Sequence, residues 1–434
     1  MFTQEPGTGM NDFEVSRIQL FLLLLVLFLL SLLCLNSHGT ADMDTFVVWT
    51  NNADSLGLVK GFAANHADYP PLADVILVEA VSMGQLIALP AVTSIKLSII
   101  LFLWLTTLAC WLWTRDPLIT LLMYLALFLN SALLAYVDIY FAPTLILALW
   151  ALKERKSFLF TLCYVIACLT KWQPLIIAPI ILIYILNVRQ WSDWKYVDFR
   201  RIALRLILPA AGLVGIVLII FGVRTILETI TAITTQNLLL SGNALNANWI
   251  LTHYLRAFSP ERFGGLVNNQ ADYLYIGPSR IQVVPRLVFA LVYLLILAVF
   301  VRQRKTFENM LVFSILGFLA YYTFSIGVHE NHLFVVAVLG VFLLWVNRAH
   351  WPWVSILLLM NSINMFTFYG VNGDGPGFSR VLFGRVDIAL LLAIFNVGFF
   401  FYICSRFVFS RDAGVHTTSV SGTPDPSSNY RPPG

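Results

Sequence analysis

Apolar residues in this chain come in runs long enough to leave water. A helix that crosses a bilayer needs about 20 consecutive, mostly apolar residues. Such runs lie near 18–35, 94–113, 118–135, 141–152, 158–170, 174–188, 204–223, 283–301, 309–325, 333–346, 353–369 and 387–405. A soluble domain has no use for so many. Composition agrees: 59% of the residues are hydrophobic and 12% charged, against about 25% charged in ordinary soluble domains. A soluble globular enzyme and a disordered chain are both excluded. The net charge is only +4 and no basic cluster sits on a recognition element, so no nucleic-acid partner is expected. The expected fold is an all-α integral membrane protein, a polytopic bundle of about 12 transmembrane helices.

The run at 18–35 follows a polar N-terminus and invites a signal-peptide reading. It is too long for a signal core and no small-x-small site follows, so a true span is expected. The runs at 141–152 and 158–170 are short, which predicts displaced ends or an irregular helix. Lys and Arg collect on the cytoplasmic side of membrane proteins. Here they mark alternate loops: Lys153, Arg155 and Lys156; Arg189, Lys195, Arg200, Arg201 and Arg205; Arg302, Arg304 and Lys305; Arg348; Arg406 and Arg411. Both termini are therefore expected in the cytoplasm.

The opposite side carries two long loops, about 36–93 and 224–282, and a short one at 370–385. Long loops in a compact protein usually carry function. Apolar stretches at 73–89 and 225–240 predict helices lying at the interface. Residues 1–411 read as one polytopic unit, and the Ser, Thr, Pro and Gly-rich 412–434 as a disordered cytoplasmic tail. The outer loops contain no Asn-x-Ser/Thr sequon, which favours a bacterial plasma membrane over an endoplasmic reticulum membrane.

Polar residues that are unusual in such a chain fall mostly on the outer side. They are Asp42 and Asp44; Asp68 and Tyr69 in Asp-Tyr-Pro-Pro-Leu; Tyr136 and Asp138; Lys171, Trp172 and Gln173; Asn243, Asn246, Asn248, Trp249, His253 and Arg256; and His329, Glu330 and His332. No charged residue stands clearly at mid-span, where a proton-coupled transporter would place one. Each element also has a plain reading. Asp42 and Asp44 could be solvated acids at a span end, Tyr-Pro-Pro-Leu a rigid turn, and Asp138 and Lys171 a structural ion pair. Asn246, Asn248 and Trp249 could be helix-end amides and a belt aromatic. His329 and His332 are three positions apart rather than four, so the zinc-protease motif is rejected.

As a set, these segments resemble the GT-C membrane glycosyltransferases that use a polyprenyl- or dolichyl-phosphate sugar. In that family an acid closely follows the first span, in a Gly-Asp-x-Glu-like run with a Trp seven residues after the first acid. Asp42, Asp44 and Trp49 stand at that spacing. The same loop ends in Asp-Tyr-Pro-Pro-Leu, as Asp68 to Leu72 do, and a late Val-His-Glu-Lys-like signature matches Val328, His329 and Glu330, with Asn331 in place of the Lys. Asp138 and Lys171-Trp172-Gln173-Pro174 look like a softer fourth match. The first loop also resembles that of glycolipid mannosyltransferases. The matched motifs cover only about 20 residues, though their order and topology run along most of the chain.

The resemblance implies a GT-C-like bundle that transfers one hexose, mannose or glucose, to a hydroxyl acceptor on the extracytoplasmic side with inversion. It implies Asp42 as general base, with Asp44 second. Lys171, His329, His332 and Arg256 would hold the donor phosphate, and Glu330, Asp138, Tyr69 and Trp249 would bind sugar or acceptor. The donor would be a polyprenyl- or dolichyl-phosphate sugar, and the acceptor a lipid-linked glycan, polysaccharide or protein. No cofactor or metal is expected, although Asp42 and Asp44 could hold a divalent cation. The competing readings are a lipid-linked oligosaccharide polymerase or ligase, which would lean on outer-loop arginines, a lipid-linked sugar flippase or transporter, and a structural membrane subunit.

Overall fold

The computed structural model describes residues 17–66, 68–235, 239–277 and 280–409. The expected tail at 412–434 lies outside them. The described residues form a membrane-embedded helical protein, with one two-residue antiparallel pair, Val381–Leu382 against Val386–Asp387. Each of the twelve apolar runs is helical. Among the described residues, five helices are long and apolar enough to cross a membrane: Ala91–Thr114, Phe199–Phe221, Arg280–Arg302, Phe307–Phe324 and Ile388–Phe407.

Burial sorts the bundle into a centre and a rim. Phe307–Phe324 is buried over 83% of its apolar window, whereas Phe199–Phe221 and Arg280–Arg302 are each buried over 17%. The rim helices turn large apolar side chains outward, among them Ile219 and Leu291, at 85% and 67% exposure. Water would penalise that surface heavily; hydrocarbon does not.

Local chemistry places the helix starts. Asp116 caps its helix by accepting from Leu118 N and Ile119 N, with Pro117 in the first turn where no amide donor is needed. Asn246 and Thr306 cap in the same way. The two long loops expected on the outer side are helical as well. The first holds Asp42–Leu56, Leu58–Asn65 and Pro71–Gln85, and the second holds Val223–Thr235 and Ala247–Phe258. The last-named element of the first loop and Val223–Thr235 fall on the two stretches expected as interfacial helices.

Among the described residues five apolar helices begin with a tight 3-10 turn. Three of these turns are Val137–Phe141 before Ala142–Lys153, Gln173–Ile177 before Ala178–Leu186, and Glu330–Leu333 before Phe334–Val346. These turns explain the short run at 141–152, whose helical course starts four residues earlier, at Val137. They also gather polar residues at one end of the bundle. The π-turn Leu129–Leu133 leads into the first of them, and the buried Lys96 ammonium donates to the carbonyls of Ala132 and Leu133 at 2.7 and 3.2 Å. A π-turn leaves carbonyls without helical partners, and a cation there satisfies them.

Candidate active site

At that end of the bundle the structure opens a cavity of about 750 Å³. Asp42 enters it from the first turn of Asp42–Leu56. On a helix, positions i, i+3, i+4 and i+7 share a face, and Asp42, Thr45, Phe46 and Trp49 all line the cavity. Asp44, two positions on, faces away. It is exposed and pairs with His38 at 3.2 Å. The loop before Asp42 is anchored through Gly39, whose φ of +83° suits glycine. A Cβ there would stand 2.6 Å from the Leu134 carbonyl oxygen, and Thr40 N donates to that same oxygen at 3.1 Å. Asp42 and the segment carrying Tyr136 and Asp138 are thereby held together.

The Asp42 carboxylate has no hydrogen-bond or ion-pair partner among the described residues. It is exposed by area to the cavity, yet the walls surround it. Desolvation by those walls, followed by the negative Glu330, pushes its pKa up to about 6. Water in the open cavity opposes this shift, so it is expressed most fully when a ligand displaces that water. Asp68 lines the same cavity and its carboxylate is likewise unpartnered among the described residues. Its main-chain oxygen accepts from the Trp172 indole at 3.0 Å, which ties the two segments.

Lys171 stands just past the C-terminal end of Ser157–Thr170 and is buried. Its ammonium pairs with Asp138 at 3.2 Å and donates to the Tyr69 hydroxyl at 2.6 Å. An ammonium has three donors, so one remains for the cavity it lines. Asp138 is fully buried and lies behind the cavity wall; its other oxygen accepts from Asn331 Nδ2 at 2.7 Å. Asn331, the departure from the family pattern, thus donates to the carboxylate that also neutralises Lys171. A second lysine there would have set two buried cations on one acid.

Glu330 is buried, and its Oε1 accepts from the Tyr136 hydroxyl. Glu330 does not hydrogen-bond the neighbouring imidazole: His329 Nδ1 lies 4.0 Å from Glu330 Oε2. Burial holds the His329 imidazole below its ordinary range, with the nearby Asp42 acting against this, so it meets a ligand as a neutral ring at pH 7. His329 packs on Gly242, where a Cβ would stand 2.5 Å from its Nδ1. The main chain of Gly242 bridges the same strand-like segment, donating to Val328 O at 2.8 Å and accepting from Glu330 N at 3.2 Å. His332 also lines the cavity, and its Nδ1 meets the Tyr321 hydroxyl at 3.0 Å. Several buried polar atoms of lining residues have no hydrogen-bond partner among the described residues: both amide atoms of Gln173, Asn331 Oδ1 and Glu330 Oε2. Buried polar groups are rarely left unpaired, so this wall is built to meet something polar.

Besides Asp44 and Asp138, two more expected site residues do not line the cavity. Arg256 donates to the carbonyls of Gly265 and Tyr273 at 3.3 and 2.9 Å, clamping the loop that follows its helix. Trp249 is fully buried, edge-on to Phe368 at 5.0 Å, in a small core with Leu245, Ala271, Ala389 and Ala393. Their helix, Ala247–Phe258, turns Trp249 toward packing partners rather than the cavity. Asn246 proves to be a helix-end amide, accepting from Trp249 N at 3.0 Å. In their place the cavity holds Asp68, Tyr321, Tyr369 and Arg286. Asp68 was visible within its motif as a turn residue. Arg286 gives no sequence signal beyond one cation in the first turns of an apolar helix.

The chain matches no family model and no curated protein.

Proposed function

We propose that the protein is a membrane glycosyltransferase that moves one hexose from a polyprenyl-phosphate carrier to a hydroxyl acceptor on the extracytoplasmic side. The observation that carries this reading is the meeting, in one cavity, of an unpartnered carboxylate, Asp42, with Lys171, His329 and an unsatisfied Gln173 amide. A hydroxyl needs a base to become a nucleophile. A departing phosphate needs positive charge and donors rather than an acid.

In this mechanism Asp42 takes the proton of the acceptor hydroxyl. The oxygen attacks the anomeric carbon on the face opposite the phosphate. The bond from that carbon to the phosphate oxygen breaks and its electron pair stays on the phosphate, so the centre inverts. Lys171 offers its third N–H, Arg286 a guanidinium, and His329 a neutral ring donor to the growing negative charge. Asp138 is a positioning residue that holds Lys171. Trp49 and Tyr69, edge-on at 5.7 Å, form an apolar wall suited to a sugar face.

The carrier's lipid tail fits the same picture. Arg286 sits on the rim helix Val283–Arg302, whose outward residues Leu287 and Leu291 are exposed. A donor arriving from the bilayer beside that helix would bring its phosphate past Arg286. The remaining parts of the reading are twelve spans, both termini in the cytoplasm, residence in a bacterial plasma membrane, and a lipid-linked glycan, polysaccharide or protein as acceptor.

The test is transfer by the purified protein from a panel of polyprenyl-phosphate sugars, wild type against Asp42→Asn. Transfer by the wild type and none by the variant supports the proposal. Use only of lipid-diphosphate oligosaccharides would move the assignment to a polymerase or ligase, and full activity of the variant would remove Asp42 as base.

A further inference from the structure

A second cavity lies at the far ends of the helices that carry the first. Lys171 follows the C-terminal end of Ser157–Thr170, and Gln173 opens Gln173–Leu186. Ser157 and Leu186, the opposite ends of those two helices, line a cavity of about 450 Å³. Its charged lining is Arg155, Arg201, Arg205, Lys305 and a single acid, Asp198.

Most of the competing interactions there are already used. Asp198 caps the main-chain N–H of Arg201 at 2.9 Å. Lys305 donates to the carbonyls of Phe300, Val301 and Gln303 at 3.0, 2.8 and 2.8 Å, so it is a fixed positive charge with its donors spent. The guanidinium groups of Arg155, Arg201 and Arg205 have no ion-pair or hydrogen-bond partner among the described residues. Arg205 sits in the π-turn Ala203–Ile207, whose main chain is held by the Thr161 hydroxyl donating to Arg205 O at 3.1 Å. Such turns recur at functional sites. The helix Ser157–Thr170 also points its N-terminus here, and its cap residue Lys156 offers no side-chain acceptor, leaving first-turn amides for an anion.

Next in sequence or one turn away from lining residues stand exposed apolar side chains. Phe158, Phe199, Leu204 and Leu208 are exposed at 53%, 61%, 52% and 62%. Unpaired arginines beside an outward apolar skirt match a headgroup that carries phosphate and tails that need hydrocarbon. We infer that this cavity binds the phosphate of an anionic phospholipid, whose acyl chains lie on the neighbouring rim. A soluble phosphate would use the guanidiniums but none of the bilayer-facing apolar surface beside them.

Native mass spectrometry of the full-length protein in detergent tests this, with phosphatidylglycerol, phosphatidylcholine and inorganic phosphate as probes. The expected result is retention of phosphatidylglycerol over phosphatidylcholine, with millimolar inorganic phosphate failing to displace it. Arg155→Gln, Arg201→Gln and Arg205→Gln should each weaken retention about fivefold, and Arg205→Lys much less. The triple glutamine variant should lose the preference while keeping its helix content and elution volume. If that variant does not fold, Arg155→Gln alone carries the test, because Arg155 lies on an exposed turn. Equal retention of the two lipids, unchanged binding by the variants, or complete displacement by inorganic phosphate overturns the inference. No sugar transfer is read, so failure here leaves the reading of the first cavity untouched.

Discussion

Lys171 and Asp138 form an ion pair at 3.2 Å in which the carboxylate is wholly buried and the ammonium side chain is only 10% exposed. The two residues come from separate turns at the same end of the bundle, and the pair is completed by Tyr69 and Asn331. Breaking a buried pair by removing one partner strands the other charge, at a cost of about 3–5 kcal/mol. Asp138→Ala should therefore lower the thermal unfolding midpoint in detergent markedly. Adding Lys171→Met should restore much of the loss, because no charge is then stranded. A single variant that melts like wild type would show the pair to be unimportant for folding.

Asp42 should behave in the opposite way. It has no partner to strand, so Asp42→Asn should fold and melt at least as well as wild type. A lost general base costs about 10²–10⁴ in rate, and transfer should fall by that range. Asp44→Asn, on the solvated face beside His38, should stay within about twofold of wild type. A large loss in the Asp44 variant with none in the Asp42 variant would reverse the assignment.

The pH dependence follows from the raised Asp42 pKa. Activity needs the ionised carboxylate, so the acidic limb of the rate profile should have its midpoint near 6, not near about 4 as for a free Asp. Stability runs the other way. The folded state keeps the Asp42 proton where the unfolded chain has already released it, so stability from this group is full below about 4. It declines as pH rises toward 6, and above that the ionised carboxylate is a standing cost. The melting-point gain of Asp42→Asn should thus grow from pH 4 to pH 7. A gain that is independent of pH would mean that the cavity does not shift the group.

Gly242→Ala is the sharpest geometric test. The added methyl would stand 2.5 Å from His329 Nδ1, inside contact distance, so the ring must move. A displacement of about 1 Å in a positioned group costs on the order of 10²-fold in rate. Transfer should drop by that order with little change in unfolding temperature. Unchanged kinetics would separate His329 from the chemistry.

Arg256→Gln should loosen the loop it clamps, lowering stability by about 1 kcal/mol for the lost hydrogen bonds. Donor KM should not change, since the guanidinium is committed to Gly265 and Tyr273. A tenfold rise in donor KM would return Arg256 to the phosphate site.

The helical bundle was legible in the apolar runs because their pattern is local: each of the twelve stretches is helical, and both loop stretches expected at the interface are helices. The reach of Asp42, Lys171, His329 and Glu330 toward one cavity was legible from the alternation of sides along the chain. Asp44 could have been set aside on the same terms, since a helix beginning at Asp42 turns its third residue away from its first. Trp249 and Arg256 could not. Both fall in a loop expected on the outer side, with chemistry that suits a ligand, and only the packing of Ala247–Phe258 against Ala389 and the 259–275 segment gives them to the core and the loop. Asp138 was legible as a possible structural partner of Lys171, and the pair forms, but its full burial and its bond to Asn331 arise only when three segments close around it.

Hydrophobic periodicity and charge placement act within a few turns of chain, so they determine which residues leave water and toward which end the polar ones lie. The partners of a buried charge are chosen by contacts between segments remote in sequence. Asp138 answers Lys171 across 33 positions and Asn331 across 193. The sequence offers the Asp138–Lys171 pairing only as one reading among several; the tertiary fold makes the choice, turning one carboxylate into a brace and leaving Asp42 free.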